Sequence, residues 1–124
     1  MLTLPPSVKI WCATTPTDLR RGPDGLSGLV RSQLHADPLS GHLFVFFNRK
    51  ADRLKILYWD RDGYAIWQKR LEVGTFEFPK VIGQAAGVAI SATELSLILG
   101  GVALTAKRRP RYTKGAEKLF EQSA

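Results

Sequence analysis

The sequence predicts an α+β protein: an antiparallel β-meander of three to five strands, with one or two short helices packed on it and a basic C-terminal arm. Three observations carry this expectation. Apolar runs between His42 and Phe78 are separated by turns too short for a crossover, the pattern of consecutive antiparallel strands. Two flanking stretches, 24–35 and 92–99, place aliphatic residues at helical spacing. Beyond about residue 105 charge becomes dense and apolar periodicity stops.

Val8-Lys9-Ile10-Trp11-Cys12-Ala13 is rich in β-branched and aromatic residues and reads as a short strand. Thr14 to Pro16 breaks it, and 17–22 reads as a turn. Asp24 is placed to N-cap a helix running to about His35, with Leu26, Leu29, Val30 and Leu34 on one inward face. Gly25 and Gly28 weaken that helix by about 1 kcal/mol each relative to alanine. Pro38 stops it within a turn-rich connection ending at Gly41.

The centre of the chain has the clearest pattern. His42 to Asn48 is a strand, and Arg49-Lys50-Ala51-Asp52 a polar loop. Arg53 to Asp60 is the next strand, with Leu54, Ile56 and Tyr58 on one face and Lys55, Leu57 and Trp59 on the other. Arg61-Asp62-Gly63 supplies a glycine for a hairpin turn into a strand from Tyr64 to Leu71. A fourth short strand is expected at Thr75 to Phe78, ended by Pro79. Gln84 to Ile90 carries no decisive periodicity. Ser91-Ala92-Thr93-Glu94 fits a capping box, Leu95 to Leu99 continues as a helix, and Gly100-Gly101 ends it.

At 124 residues one domain is expected over 1–104, followed by a mobile arm over 105–124. A single cysteine excludes an internal disulfide, and two histidines with it are too few for a zinc finger. Met1 to Pro6 lacks the basic start of a secretory signal. No apolar run approaches the ~20 residues of a membrane helix. A soluble, cytoplasmic protein is expected. Eighteen Lys and Arg against 11 Asp and Glu give a net charge of +7, which favours polyanionic partners. The arm is the most polarised part, with Lys107, Arg108, Arg109, Arg111 and Lys114 and no acid between them.

Enzymatic constellations are missing. Asp52, Asp60 and Asp62 sit on turns and could hold a metal ion, but they read as solvated turn residues that offset neighbouring arginines. No Gly-x-Ser-x-Gly elbow frames a nucleophile. Residues 22–28 are glycine-rich but match no phosphate loop. His42, at the start of a strand, reads as structural. No enzyme, cofactor or metal is expected. What remains is a sheet whose turns bristle with cations. Tyr58, Trp59, Tyr64 and Trp67 lie among them, a combination that can hold nucleic acid by phosphate pairing and stacking.

Thr17-Asp18-Leu19-Arg20-Arg21-Gly22-x-Asp24-Gly25-Leu26 resembles the N-terminal signature of the TnpB accessory-protein family of insertion sequence sixty-six elements, the products of their second open reading frame. Residues 37–46 are similar to that family's approach to its central strands. Asp52-Arg53-Leu54-Lys55-Ile56-Leu57-Tyr58-Trp59-Asp60-x-Asp62-Gly63 is similar to its most recognisable block, and Lys69-Arg70-Leu71-Glu72-x-Gly74-x-Phe76 closes it. The likeness runs from about residue 4 to 101 in one order. It departs at Pro23, where the family usually has phenylalanine.

The resemblance implies a protein of a bacterial mobile element that supports transposition beside a separate DDE transposase and a sister accessory protein. The expected function is a non-catalytic DNA-binding factor acting at the element ends, with a homodimer as a possible form. The expected DNA-binding residues are Arg20, Arg21, Arg49, Lys50, Arg53, Lys55, Lys69, Arg70, Lys107, Arg108, Arg109 and Arg111. The alternative is an adaptor that docks on the transposase without touching DNA, with Leu57, Trp59 and Trp67 as an exposed patch if the other face of the sheet is the core. A metal-dependent nuclease using Asp52, Asp60 and Asp62 is the third reading.

Overall fold

The computed structural model describes Pro5, residues 7–78 and residues 85–100. In chain order the elements are β1 (Ile10–Ala13), α1 (Pro23–Ser32), β2 (Leu43–Phe47), β3 (Arg53–Asp60), β4 (Gly63–Arg70), β5 (Gly87–Ile90) and α2 (Ala92–Gly100). They build one five-stranded sheet in the order β4-β3-β2-β1-β5. The α+β class and the two helices agree with the sequence reading.

The sheet is mixed, however, rather than an antiparallel meander. β2, β3 and β4 do run antiparallel in sequence order. β1 joins β2 in parallel, pairing Trp11 with Phe44, and β5 returns antiparallel along the other side of β1. The cause is α1, which carries the chain back between β1 and β2, as a parallel connection requires.

Both faces of the sheet are buried, and β2 shows why. All five of its residues are buried. Leu43 and Val45 face a cluster with Ile10, Cys12, Leu54, Ile56 and, from α2, Leu95, Ile98 and Leu99. Phe44 and Phe46 face the opposite cluster with Leu57 and, from α1, Leu26 and Val30. Alternation along one strand thus feeds two cores. This overturns the proposed exposed patch. Leu57 is fully buried beneath α1. Trp67 pairs with Ile56 and packs on the α2 side, not beside Trp59.

Local signals explain most boundaries. α1 begins two residues earlier than expected: Gly22 is the N-cap and Pro23 takes the first turn, where its fixed φ suits a helix start. Asp24 lies in that first turn rather than at the cap. The helix ends at Ser32, and Leu34 packs on the α1-side core from beyond it. Gly25 lies close under Arg21, where an added Cβ would stand 3.1 Å from the Cβ of Arg21. The capping box is reciprocal: Glu94 N–H donates to Ser91 Oγ and Ser91 N–H to Glu94 Oε1, both at 3.0 Å.

At the hairpin, Arg61 rather than Gly63 adopts the positive φ, and Gly63 opens β4 opposite Asp60. Residues 75–78 do not form the expected strand. Phe76 N–H donates to Ala51 O at 2.7 Å, and Phe78 stacks on Phe47 with ring centres 4.1 Å apart. Side-chain packing holds this segment where a ladder was expected. His42 is structural, its Nδ1 accepting Lys9 N–H at 2.9 Å.

Candidate nucleic-acid interface

The β2–β3 turn is built by one side chain. Asn48 Oδ1 accepts the N–H groups of Asp52 and Arg53, at 3.1 and 3.0 Å, and Asn48 Nδ2 donates to Asp52 Oδ1 at 2.6 Å. Ala51 takes the left-handed conformation that closes the turn. Its carbonyl receives Phe76 N–H, while Leu71 N–H reaches Asp52 O. The turn is therefore stapled from both sides, with Arg49 and Lys50 exposed at its tip. The hydrogen bond from Asn48 holds the Asp52 carboxyl below the usual carboxylate range.

A second turn comes to the same place. Thr17 N–H donates to Phe47 O at 2.7 Å, hooking the 17–22 segment onto the end of β2. Asp18 Oδ1 accepts Arg20 N–H, and the Arg20 guanidinium grips the carboxylate through Nε and Nη2, the latter at 2.8 Å. That fork lowers the Asp18 carboxyl to about 2. Leu19 between them plugs the α1-side core.

Between these turns lies a cleft of about 490 Å³, lined by Arg20, Arg49, Lys50 and Arg53. A neighbouring cleft of about 430 Å³ shares Leu19, Arg20 and Arg53 and adds Lys55, Lys69 and Arg70. Seven of the expected cations thus line one continuous concavity at one end of the sheet. Asp18 and Asp52 lie within it, and Glu72 pairs with Arg70 at 3.3 Å. Seven cations against three carboxylates leave it electropositive. Among the described residues Arg49, Lys50 and Arg53 have no ion-pair partner.

Arg53 and Arg70 are direct cross-strand partners, so two like charges face each other at the mouth of the sheet. Such a pair opposes folding.

Other expected residues have different places. Arg21 lines neither cleft, and its carbonyl accepts Lys55 Nζ at 3.3 Å. Lys69, although it borders the second cleft, donates its ammonium to Leu99 O at 3.2 Å, at the C-terminal end of α2. Lys107, Arg108, Arg109 and Arg111 lie outside the described residues. Sequence reasoning missed Asn48 and Asp18 as the organisers of this end. Their signal was present, since an Asx residue two to five positions before the groups it binds is a turn-former.

The acidic trio does not assemble. Asp52 precedes β3 and Asp60 ends it, so the eight-residue strand separates them by roughly 25 Å. Cys12 offers no nucleophile: burial pushes its thiol up to about 12. No helix among the described residues is long and apolar enough to cross a membrane.

Comparison with known proteins agrees with the sequence motifs. Residues 8–109 match the family described as IS66 Orf2 like protein, so the match continues beyond residue 101 through Lys107, Arg108 and Arg109. The uncharacterized protein y4jC of Sinorhizobium fredii (strain NBRC 101917 / NGR234) is 44% identical over 112 residues, covering 88% of this chain and 94% of the relative. The uncharacterized protein y4hO of the same strain is 39% identical over 102 residues, covering 82% and 87%. No solved structure matches the chain. With more than half its length inside the family match, the chain belongs to the IS66 Orf2-like proteins, accessory proteins of bacterial insertion sequences.

Proposed function

We propose that this accessory protein is non-catalytic and holds the DNA of its element through the basic concavity at the Arg53–Arg70 end of the sheet. One observation carries the reading. Arg53 faces Arg70 across the ladder, with Arg49, Lys50 and Arg20 converging on the same concavity. Folding gains nothing from this clustering, whereas a phosphate backbone neutralises it. Arginine predominates, as suits forked contact with phosphate oxygens. The contacts go to the backbone, so they position DNA rather than read its sequence. Lys107, Arg108, Arg109 and Arg111 extend the same charge along the chain. The separate transposase and the sister accessory protein act on the DNA so held.

Fluorescence anisotropy with duplexes carrying the element's terminal repeat, against a scrambled control, tests the reading. If about six phosphates are neutralised, affinity falls roughly a thousandfold between 50 and 200 mM salt. Binding is expected to both duplexes. Absence of binding to either at low salt would overturn the proposal.

A further inference from the structure

We infer that β4 is a docking edge for a second copy of this chain, giving a twofold dimer in which two sheets join into one of ten strands. β4 is the outer strand of the sheet and is eight residues long, against four for β5 at the other edge. It contains no proline, and its register with β3 is continuous from Gly63 to Arg70, so no bulge twists the edge away. Asp60 pairs with Gly63 across the two-residue loop, and Leu71 N–H bonds inward to Asp52 O. Alternation therefore turns the backbone N–H and C=O groups of Tyr64, Ile66, Gln68 and Arg70 outward. Among the described residues nothing pairs with them.

Charge selects the occupant and the register. The two cations of β4 lie at one end, Lys69 and Arg70, with Asp62 just before the other. Lys69 is already committed to Leu99 O, and Arg70 gives Nη2 to Glu72 of its own chain at 3.3 Å, which leaves the rest of its guanidinium fork for an acid opposite. Antiparallel pairing of two copies about Ile66 places Tyr64 opposite Gln68 and Asp62 opposite Arg70 of the other copy. Each like-charged end thus meets an acid, twice per dimer. The twofold axis stands perpendicular to the sheet, so the two basic concavities lie at opposite ends of the joined sheet. Strand rise and spacing put them roughly 30 Å apart, near the ~34 Å turn of a duplex. That last correspondence rests on the proposed function, whereas the dimer itself does not.

Sedimentation equilibrium of the full chain without DNA separates the two. The expected mass at micromolar concentration is twice 13.8 kDa. Gln68→Pro removes an outward N–H on an exposed residue and is expected to give a monomer with an unchanged circular dichroism spectrum. Asp62→Arg is expected to weaken the dimer about tenfold, and Asp62→Arg with Arg70→Asp to restore it. The charge-swap pair decides the matter if Gln68→Pro does not fold. A monomer throughout, or a dimer indifferent to these changes, overturns the inference and leaves DNA binding to its own assay. A dimer that binds no DNA keeps the inference and removes the function.

Discussion

The two ends of the β3–β4 hairpin obey opposite rules. At the tip, Trp59 and Tyr64 are cross-strand partners in an edge-to-face pair with ring centres 5.1 Å apart. Arg61 there lies between two carboxylates in sequence and stands 3.9 Å from that of Asp60. Aromatic and opposite-charge pairs are what a sheet uses to stabilise itself. At the other end the same two strands put Arg53 opposite Arg70, with Lys55 and Lys69 one or two residues further along. The backbone geometry is the same at both ends, so the difference lies in what the side chains are for. The tip is paired as folding favours, whereas the open end holds an excess of cations over carboxylates, which is what the proposed DNA contact calls for.

The most drastic way to test that contrast is to remove what both ends rest on. Leu57→Ala opens a cavity beneath α1 and should cost about 2–5 kcal/mol, read as a lower midpoint of urea unfolding. It should weaken DNA binding only as far as it unfolds the protein. Trp59→Ala should cost about 2 kcal/mol through lost packing and the lost aromatic pair. DNA affinity should not change, since the tip is remote from the concavity. Equal loss of binding in Trp59→Ala would erase the distinction between the ends.

Arg53→Gln sharpens the contrast because its two effects have opposite signs. Removing one of two facing arginines should raise stability by up to about 1 kcal/mol in a thermal melt, while DNA affinity falls. The smallest expected effect is electrostatic and local. In the folded chain the Asp18 carboxyl should titrate at about 2 by NMR, whereas in the unfolded chain it titrates near 4. A carboxyl lowered on folding adds stability above its unfolded value, and the contribution is lost as pH falls toward 2. In Arg20→Gln the midpoint should return toward the ordinary aspartate range.

Much of this arrangement was legible locally. β3 matches its predicted bounds, because strict alternation between two polar turns leaves little choice. The capping box at Ser91 was equally readable, since its four residues contain both partners. β5 was not, because four residues carry no period and Gly87–Ile90 owes its conformation to β1, more than seventy positions away. The parallel step from β1 to β2 was missed for the same reason. The cations of the concavity were named from composition, but their convergence depends on Asn48 and Asp18 folding two turns against each other. Tertiary contacts likewise separate residues indistinguishable in sequence from their neighbours: Arg21 lines neither cleft, and Lys69 borders one but bonds Leu99 O.

The most direct test of the central claim is the salt slope of DNA binding, compared between the wild-type chain and the Arg49→Gln, Lys50→Gln, Arg53→Gln triple variant. These three residues have no ion-pair partner among the described residues, so neutralising them removes no structural bond. Each lost phosphate contact should lower the slope of log affinity against log salt by about 1, or about 3 in all. A slope and affinity equal to those of the wild type would contradict the account and move any DNA contact away from this end of the sheet.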